Sequence, residues 1–393
     1  MNKNFTEVLG VFTKLGLTSF GGPTAHLGFY REEIVERRGW VDERSFADLV
    51  ALCQSLPGPA SSQVGFALGI ARAGIPGGFA AWLGFTLPSA ALLVLFALGL
   101  PAIQAALGSH WLHGLKVAAV AVVARAVWGM AANLCPDRVR ATIALLAAIA
   151  LIFFQGTSTQ VLVILGGALF GCIFLRARDE SPSVAMGVAI PRGTALSCLA
   201  AFFVLLAGLP LLAEVFQSTA LDRFDSFFRA GSLVFGGGHV VLPLLQAEVV
   251  PRGWVTNESF LAGYGVAQAV PGPLFSFAAY LGTVMSPVLG GLAGAAICLV
   301  GIFLPSWLLV IGALPFWDAF RACLSVQSAL RGLNAAVVGL LLAALYQPVW
   351  TSAVQKPRDF ALGLAAFGLL SLWNWSPWLV VLLAAVVAQL LGG

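Results

Sequence analysis

Two basic side chains lie inside apolar stretches of this chain, where an ionised group is costly. Lys14 and Arg229 each precede a glycine-rich break by one or two helical turns. A cation within a membrane-spanning helix indicates function by default, and here it could attract a small anion. The alternative is that both side chains extend along the helix and place their charge at the water interface. Because the two residues are equivalent in an internal repeat, we favour contact with an anion.

Glycine- and proline-rich breaks form the second candidate site: Phe-Gly-Gly ends the first apolar segment and Pro-Gly-Pro interrupts the second, in both halves of the chain. Backbone groups freed in hydrocarbon cost several kcal/mol each, so a break needs a reason. Helices that restart there present free N–H groups and a positive dipole end to an anion. A single break is better explained by a packed kink, whereas four in symmetric pairs favour a substrate site. The expected substrate contacts are Gly21, Gly22, Pro57, Gly58, Pro59 and Ser61, with Gly236, Gly237, Gly238, Pro271, Gly272, Pro273 and Ser276 in the second half.

Polar side chains beside these breaks could complete an anion site. Gln54 and Gln268 lie just before the two Pro-Gly-Pro triplets, and their amides are potential donors to an oxyanion. His239 follows the second glycine run. A neutral imidazole there could donate a hydrogen bond or relay a proton, and a purely structural hydrogen bond is equally compatible with the sequence.

Two carboxylates and one further cation are weaker candidates. Glu33 and Glu248 are equivalent residues close to the glycine-rich breaks. They could couple proton movement to transport, and an interfacial salt bridge is the alternative. Lys116 lies deeper in an apolar segment, but it aligns with the uncharged Asn334 in the second half.

The composition sets the environment in which these residues act. Of the 393 residues, 59% are hydrophobic and only 10% are charged, and the mean hydropathy is +0.93. A soluble domain carries about 25% charged residues. Lipid must therefore be the solvent for much of the surface. The long apolar stretches lack period-two alternation, which predicts an all-α polytopic membrane protein and argues against a transmembrane barrel.

Several classes of protein are disfavoured by the same sequence. It contains no HExxH, Walker A or GxSxG motif, so we expect no enzyme, and we expect no metal or cofactor. The net charge of +4 is spread out, without a basic block for nucleic acid. The six cysteines form no CxxC pair and are interpreted as small apolar residues. A non-transporting membrane scaffold or sensor stays open as an alternative.

The chain repeats itself, which is its strongest feature. Motifs of the first half recur in the same order in the second, including a rare tryptophan. The matched pairs are 12–22 with 227–237, 39–41 with 253–255, 57–59 with 271–273, and 87–89 with 304–306. Shared apolar bias does not produce ordered matches of this kind. We expect a first repeat over 1–176, a cytoplasmic loop plus a linking segment over 177–222, and a second repeat over 223–393.

The repeat implies a topology. Six apolar segments in each repeat and one linking segment, 194–213, give about thirteen transmembrane segments, and the odd linking segment inverts the second copy. If the segments broken by Pro-Gly-Pro are re-entrant hairpins, each repeat has five crossings and the copies become parallel. The expected segments are 5–21, 46–72, 78–101, 111–133, 141–155 and 159–175, then 226–236, 258–281, 289–313, 330–347, 360–373 and 377–391.

Basic residues in the loops indicate the orientation. Arginines cluster at the loops after the fourth and sixth segments, namely Arg138, Arg140, Arg176, Arg178 and Arg192. Cytoplasmic loops carry an excess of such residues. This places the loop that contains Arg176, and by parity the N-terminus, in the cytoplasm. Lys356 and Arg358 then fall outside, in mild conflict with the rule.

These motifs resemble those of the chromate ion transporter family in its long, two-domain form. The pattern FGGP, REE, WV, F, Q and PGP in the first repeat, and FGGGHVVLP, GWV, F, Q and PGP in the second, covers nearly the whole chain. The second repeat departs from the pattern at Gly238, where the first has proline. Strict equivalence of the two half-sites is therefore in doubt.

The resemblance implies a function. It implies efflux of chromate from the bacterial cytoplasm across the inner membrane by a multi-pass protein, driven by the proton motive force. Sulfate, a tetrahedral dianion of the same charge, is the natural competitor. The expected partners are thus a small oxyanion and the lipid bilayer. Two repeats in one chain make a functional monomer feasible and leave a homodimer open. Residue physics alone indicates only an anion.

Overall fold

The described residues fold into helices, and they contain no strand. The computed structural model describes 3–108, 110–154, 156–175, 190–235, 240–285, 289–317 and 323–391. Five of the helices in these ranges are long and apolar enough to cross a membrane, as the composition predicts for a helical membrane protein. They are Ala60–Ala106, His110–Leu134, Arg192–Phe216, Gly291–Phe316 and Leu324–Ala353.

Corresponding helices follow one another in the two halves. The first half contains α1 (Lys3–Thr18), α2 (Gly22–Tyr30), α3 (Glu43–Ser55), α4 (Ala60–Leu107), α5 (His110–Leu134), α6 (Arg138–Phe153) and α7 (Thr157–Phe174). The linking helix is α8 (Arg192–Phe216). The second half contains α9 (Thr219–Leu233), α10 (Val241–Val249), α11 (Asn257–Ala269), α12 (Phe277–Val284), α13 (Gly291–Ala313), α14 (Leu324–Ala344), α15 (Pro357–Ser371) and α16 (Pro377–Leu390).

Helices α11 and α12 fold back on one another as a hairpin with the second Pro-Gly-Pro triplet at its tip. Tyr280, in the middle of α12, donates a hydrogen bond over 2.9 Å to the carbonyl oxygen of Ser259, near the start of α11. Between these residues and the tip, the rings of Phe260 and Phe277 pack edge to face with centroids 5.2 Å apart. Each helix is shorter than the roughly 20 residues that span a bilayer.

The long helix α4 is also folded. Ala73 and Gly74 have non-helical backbone angles, and the φ of +68° at Gly74 suits glycine. Gly69 and Gly77, on either side, touch through their backbones, since a Cβ on either would strike the carbonyl oxygen of the other. The arms 60–72 and 75–107 are therefore antiparallel, and α3 packs on α4.

Glycines bring the same pair of helices close together in both halves. Helix α1 lies against the second arm of α4 where Gly16 meets the backbone at Gly84. Helix α9 lies against α13 in the same way, through Gly231 and Gly301. The pairs are equivalent in the aligned sequence, so the repeat extends to the tertiary contacts. Small residues let membrane helices approach this closely.

One helix of each half packs against the last two helices of the other half. The equivalent helices α5 and α14 each pack on the last two helices of the other half: α5 contacts α15 and α16, and α14 contacts α6 and α7. Gly114 in α5 touches the backbone of Ala384, and Gly332 in α14 touches that of Gly167. Both halves are therefore needed to cover either of these helices.

The second arm of α4 and its counterpart α13 run antiparallel. Early in the arm, the ring of Phe79 packs on Trp307 with centroids 5.2 Å apart, late in α13. Further along the arm, Phe96 stacks on Tyr280 at 6.0 Å, close to where α13 begins. The bundle thus has a Glu7 end, where the arm starts, and a Glu258 end, where the arm finishes.

The observed helices differ from the expected segments in four places. Segments 46–72 and 258–281 each consist of two short helices that flank Pro-Gly-Pro, because proline cannot continue the hydrogen-bond ladder. Helix α14 begins at Leu324, earlier than the expected 330, because its first turns carry polar residues that a hydropathy criterion rejects. Helix α9 begins at Thr219, capped by Ser218, and ends at Leu233. Residues 236–239 lie outside the described ranges.

Candidate functional site

The Pro-Gly-Pro triplet of each half contacts the end of the first helix of the other half. The backbone N–H of Gly58, in the first Pro-Gly-Pro, donates over 2.7 Å to the carbonyl oxygen of Val234, just after α9. The N–H of Gly272, in the second Pro-Gly-Pro, donates over 2.9 Å to that of Ser19, just after α1. Ser19 and Val234 are equivalent residues of the repeat, so the contact occurs twice with the halves exchanged. We call this region the central junction.

Two serines on the long helices complete the central junction. A Cβ on Gly58 would strike the hydroxyl of Ser306 in α13, and a Cβ on Gly272 would lie 2.9 Å from the hydroxyl of Ser89 in α4. Both glycines have φ above +90°, at +127° and +100°. Only glycine satisfies both the backbone angle and the space. The Leu-Pro-Ser motifs were visible as markers of the repeat, but nothing in the sequence identified their serines as part of the site.

Polar groups follow the first Pro-Gly-Pro at the start of α4. Ser61, Ser62 and Gln63 are buried. The Gln63 amide donates over 2.7 Å to the carbonyl oxygen of Pro57, and the Ser61 hydroxyl lies 3.3 Å from Nδ1 of the buried His26. The Ser62 hydroxyl and the Gln63 amide oxygen have no hydrogen-bond partner among the described residues. Buried groups of this kind are expected where a ligand or water binds.

The remaining sequence candidates lie at or beside the central junction with unequal exposure. Gly21 is exposed in the left-handed region, with a φ of +102°, directly before α2 begins at Gly22. Ser276 is buried and donates to the carbonyl oxygen of Pro273 over 2.7 Å. Gln268 is half-buried, whereas Gln54 is exposed. The candidates Gly236, Gly237, Gly238 and His239 lie outside the described residues.

Lys14 belongs to an ion cluster near the C-terminal end of α1. Its ammonium lies 3.1 Å from Glu33, which also contacts Arg38 at 3.0 Å. Burial raises the pKa of Glu33, but the hydrogen bonds from Lys14 and Arg38 outweigh it and hold that pKa below its usual value of 4.5. Glu33 is therefore ionised at neutral pH and compensates a cation.

Arg229 belongs to an equivalent cluster in the second half. Its guanidinium lies 2.7 Å from Asp225, and Arg252 lies 3.2 Å from Glu248, the counterpart of Glu33. A cavity of about 520 Å³ is lined by this cluster. Asp225 is buried and was missed from the sequence, because its counterpart in the first half is Gly10 and offered no repeat signal.

The two cations flank the central junction and do not lie in it. Lys14 precedes Ser19, and Arg229 precedes Val234, by five residues, which is about 7.5 Å along a helix. The Lys14 cluster lies at the Glu7 end, where Arg72 pairs with Glu7 at 2.9 Å. The Arg229 cluster lies towards the Glu258 end, where Arg223 donates to the carbonyl oxygen of Leu289, just before α13.

Comparison with known proteins gives the same two regions. The family model described as "Chromate transporter" matches residues 6–172 and 221–389. The chain is 31% identical to a chromate transport protein of Pseudomonas aeruginosa, over 99% of this chain and 92% of that protein. It is 28% identical to a probable chromate transport protein of Synechococcus elongatus, over 97% and 93% of the two chains. It is 25% identical to a chromate transport protein of Cupriavidus metallidurans, over 89% and 84%. No solved structure gives a significant match.

The apolar helices and the similarity to transport proteins over nearly the whole chain place it in the class of membrane transporters. The match to the family model extends over both repeats and most of the chain. The chain therefore belongs to the chromate transporter family, in its long two-domain form, as the motifs predict.

Proposed function

We propose that this protein exports chromate, or a similar oxyanion dianion such as sulfate, from the bacterial cytoplasm across the inner membrane. The observation that carries the proposal is the reciprocal crossing of Gly58 with Val234 and Gly272 with Ser19. Irregular backbone inside a membrane protein is tolerated where it is buried or lines a polar path. The names of the relatives from Pseudomonas and Cupriavidus support chromate as the substrate class.

The two repeats, 1–176 and 223–393, have inverted topology in this proposal. The antiparallel course of α4 and α13 supports it, because these helices carry the same motif. Four hairpins, α1 with α2, the two helices around each Pro-Gly-Pro, and α9 with α10, enter from one end and return to it. Nine crossings remain: the second arm of α4, α5 to α8, and α13 to α16. This arrangement replaces the expected thirteen segments and keeps the inversion.

Charge supports placing the Glu7 end in the cytoplasm. Under the nine-crossing topology, Arg138, Arg140 and Arg192 lie at that end, together with Arg72. Lys356 and Arg358 lie at the opposite end, which leaves the majority of basic residues inside. The shortest crossing helices are accommodated by local thinning of the bilayer or by flanking residues.

The dianion would bind at the central junction during alternating access. The N-terminus of α4 presents backbone N–H groups and the hydroxyls of Ser61 and Ser62, and helix N-termini bind oxyanions. Lys14 and Arg229 would draw the dianion in from either end, and their ion-pair partners Glu33 and Asp225 would balance their charge between transport events. A homodimer is not required, because each half covers the other.

The driving force follows from the charge of the substrate. Moving one negative charge out of a cell with a negative interior yields about 2.3 kcal/mol per 100 mV. A dianion gains twice that, so the membrane potential alone can drive export. A pH-dependent step through Glu33 or Glu248 would add to this force.

Flux into proteoliposomes tests the function. We expect chromate uptake that rises with a membrane potential positive inside the vesicle, responds to a pH gradient and is inhibited by excess sulfate. The Lys14→Ala/Arg229→Ala variant, at equal expression, should lose this uptake. Folded protein that produces no flux of chromate or sulfate would instead favour a scaffold or sensor.

A further inference from the structure

A second polar cavity lies at the Glu258 end, away from the central junction. Its volume is about 440 Å³. It lies between α5, α11 and α15, beside the base of the hairpin whose tip is the second Pro-Gly-Pro. We call it the outer vestibule. The polar residues that line it include His110, His113, Lys116, Glu258, Lys356 and Asp359.

Lys116 is the unusual residue of the outer vestibule. Its side chain is 10% exposed, in the apolar helix α5, and its ammonium lies 3.2 Å from Glu258. The Glu258 side chain is 83% exposed. A buried cation is costly without a partner, whereas an exposed carboxylate can turn into water at little cost. The two members of this pair are therefore unequal, and Lys116 is held by an anion that can leave.

The surroundings of Lys116 favour negative charge. Three helices begin at the outer vestibule: α5 at His110, α11 after the cap residue Thr256, and α15 after Lys356. The positive ends of their dipoles add to the two lysines. Asp359 is already satisfied, because it accepts from the backbone N–H groups of Gln355 and Lys356 and lies 2.9 Å from His113.

We propose that the outer vestibule is a second oxyanion site, in which a tetrahedral dianion displaces Glu258 from Lys116. Lys116 provides the charge, and His113, Ser259 and Lys356 lie around the cavity as further donors. The inference rests on the proposed transport of an oxyanion and adds a site where the dianion pauses at the Glu258 end.

Among the described residues, the equivalent position at the opposite end carries no cation. The counterpart of Lys116 is Asn334 in α14, whose amide carries no charge. In the described part of the chain, the central junction has approximate two-fold equivalence, whereas Lys116 of the outer vestibule has no basic counterpart. The two mouths of the path therefore hold a dianion with different strength, which gives the symmetric fold a direction.

Equilibrium binding of radiolabelled sulfate to the purified full-length protein in detergent tests the site. We expect Lys116→Gln to weaken binding about tenfold, the scale of one charged hydrogen bond. Glu258→Gln should tighten binding, because it removes the competing carboxylate. The double variant should behave as Lys116→Gln, and Lys116→Arg should keep binding, which covers the case in which the neutral variant folds poorly. Glu36→Gln, in an exposed pair with Arg31 at 3.5 Å, is the matched control.

A purely structural salt bridge predicts the opposite pattern. Both single variants would then lower the thermal stability, and Glu258→Gln would weaken sulfate binding or leave it unchanged, which would overturn the proposal. The transport function fails separately: wild-type protein without flux, but with opposite effects of the two variants on sulfate binding, would keep the site and reject transport. Wild-type protein that transports, but whose two variants do not have opposite effects on sulfate binding, would keep the transport function and reject the second site.

Discussion

The backbone N–H of Gly272 donates to the carbonyl oxygen of Ser19 over 2.9 Å, although the two residues belong to different repeats. Gly58 and Val234 make the same contact with the repeats exchanged. Each hairpin tip is thus fixed by the end of the first helix of the other half. The proposed alternating access needs movements on the two sides of the central junction to be coupled, and these paired contacts are the candidates for that coupling.

The glycines of the central junction should be intolerant of a side chain. Gly58→Ala places a Cβ against the hydroxyl of Ser306 and also strains a φ of +127°. We expect at least a tenfold loss of chromate flux into proteoliposomes at equal protein content. Gly39→Ala is the matched control, because Gly39 also has a positive φ, of +58°, but open space around it. That variant should lose only the stability that the added backbone strain costs, about 1 kcal/mol.

Relief of the clash should restore part of the flux. In the Gly58→Ala background, Ser306→Ala removes the hydroxyl that the new Cβ meets. We expect the double variant to transport faster than Gly58→Ala alone. Equal flux in the Gly58→Ala and Gly39→Ala proteins would show that close packing at the central junction is not required for transport.

The contribution of Lys14 and Arg229 to transport should depend on their charge more than on the shape of their side chains. Lys14→Arg and Arg229→Lys keep a cation next to Glu33 and Asp225 and should keep most of the flux. Lys14→Gln and Arg229→Gln should each reduce the apparent affinity for chromate about tenfold, the scale of one charged hydrogen bond. The concentration dependence of initial flux measures this. An unchanged apparent affinity in both glutamine variants would assign the cations a structural role.

The acid stability of the Lys14 cluster should depend on Glu33. Its pKa in the folded protein is below the usual 4.5, so the stabilisation it provides is present above 4.5 and is lost as the pH falls through the folded-state value. Glu33→Gln should therefore unfold at a lower temperature than wild type at neutral pH, with the difference shrinking in acid. Glu32→Gln is the control, because its ion pair with Arg37 is exposed and should matter little. A difference that grows in acid would contradict the assignment.

Much of the site could be predicted from the sequence because the repeat marks it. Glycine and proline have few structural roles, and their recurrence in equivalent places singled out Gly58 and Gly272. The contact between halves could not be predicted, because alignment shows which residues are equivalent and not which ones touch. Ser89 and Ser306 were overlooked for this reason. Asp225 has no equivalent, so a method based on repetition could not find it.

The topology could be predicted less completely from the sequence, for a different reason. Hydropathy measures the length and polarity of a segment but not the direction of its chain. Segment 46–72 has the length of one crossing, yet Pro-Gly-Pro divides it into two helices that pack side by side. The hairpin of α1 and α2 depends on ion pairs such as Arg38 with Glu7 at 3.4 Å, which join distant residues. In the proposed topology, both kinds of hairpin are needed to keep the second repeat inverted, because either kind alone would make the two repeats parallel.

The sidedness of two exposed positions should distinguish the topologies. Residues 44 and 71 flank the first Pro-Gly-Pro hairpin, and both are exposed. If α3 and the first arm of α4 form a re-entrant hairpin, both positions face the cytoplasm, whereas one crossing over 46–72 places them on opposite sides. In a background without native cysteines, Arg44→Cys and Ala71→Cys should both react with an impermeant maleimide in everted vesicles and resist it in intact cells. Gln355→Cys, near the outer vestibule, should show the reverse and serves as the control. Reaction of Arg44→Cys and Ala71→Cys from opposite sides would restore the thirteen-segment topology, and the antiparallel pairing of α4 with α13 would then need another explanation.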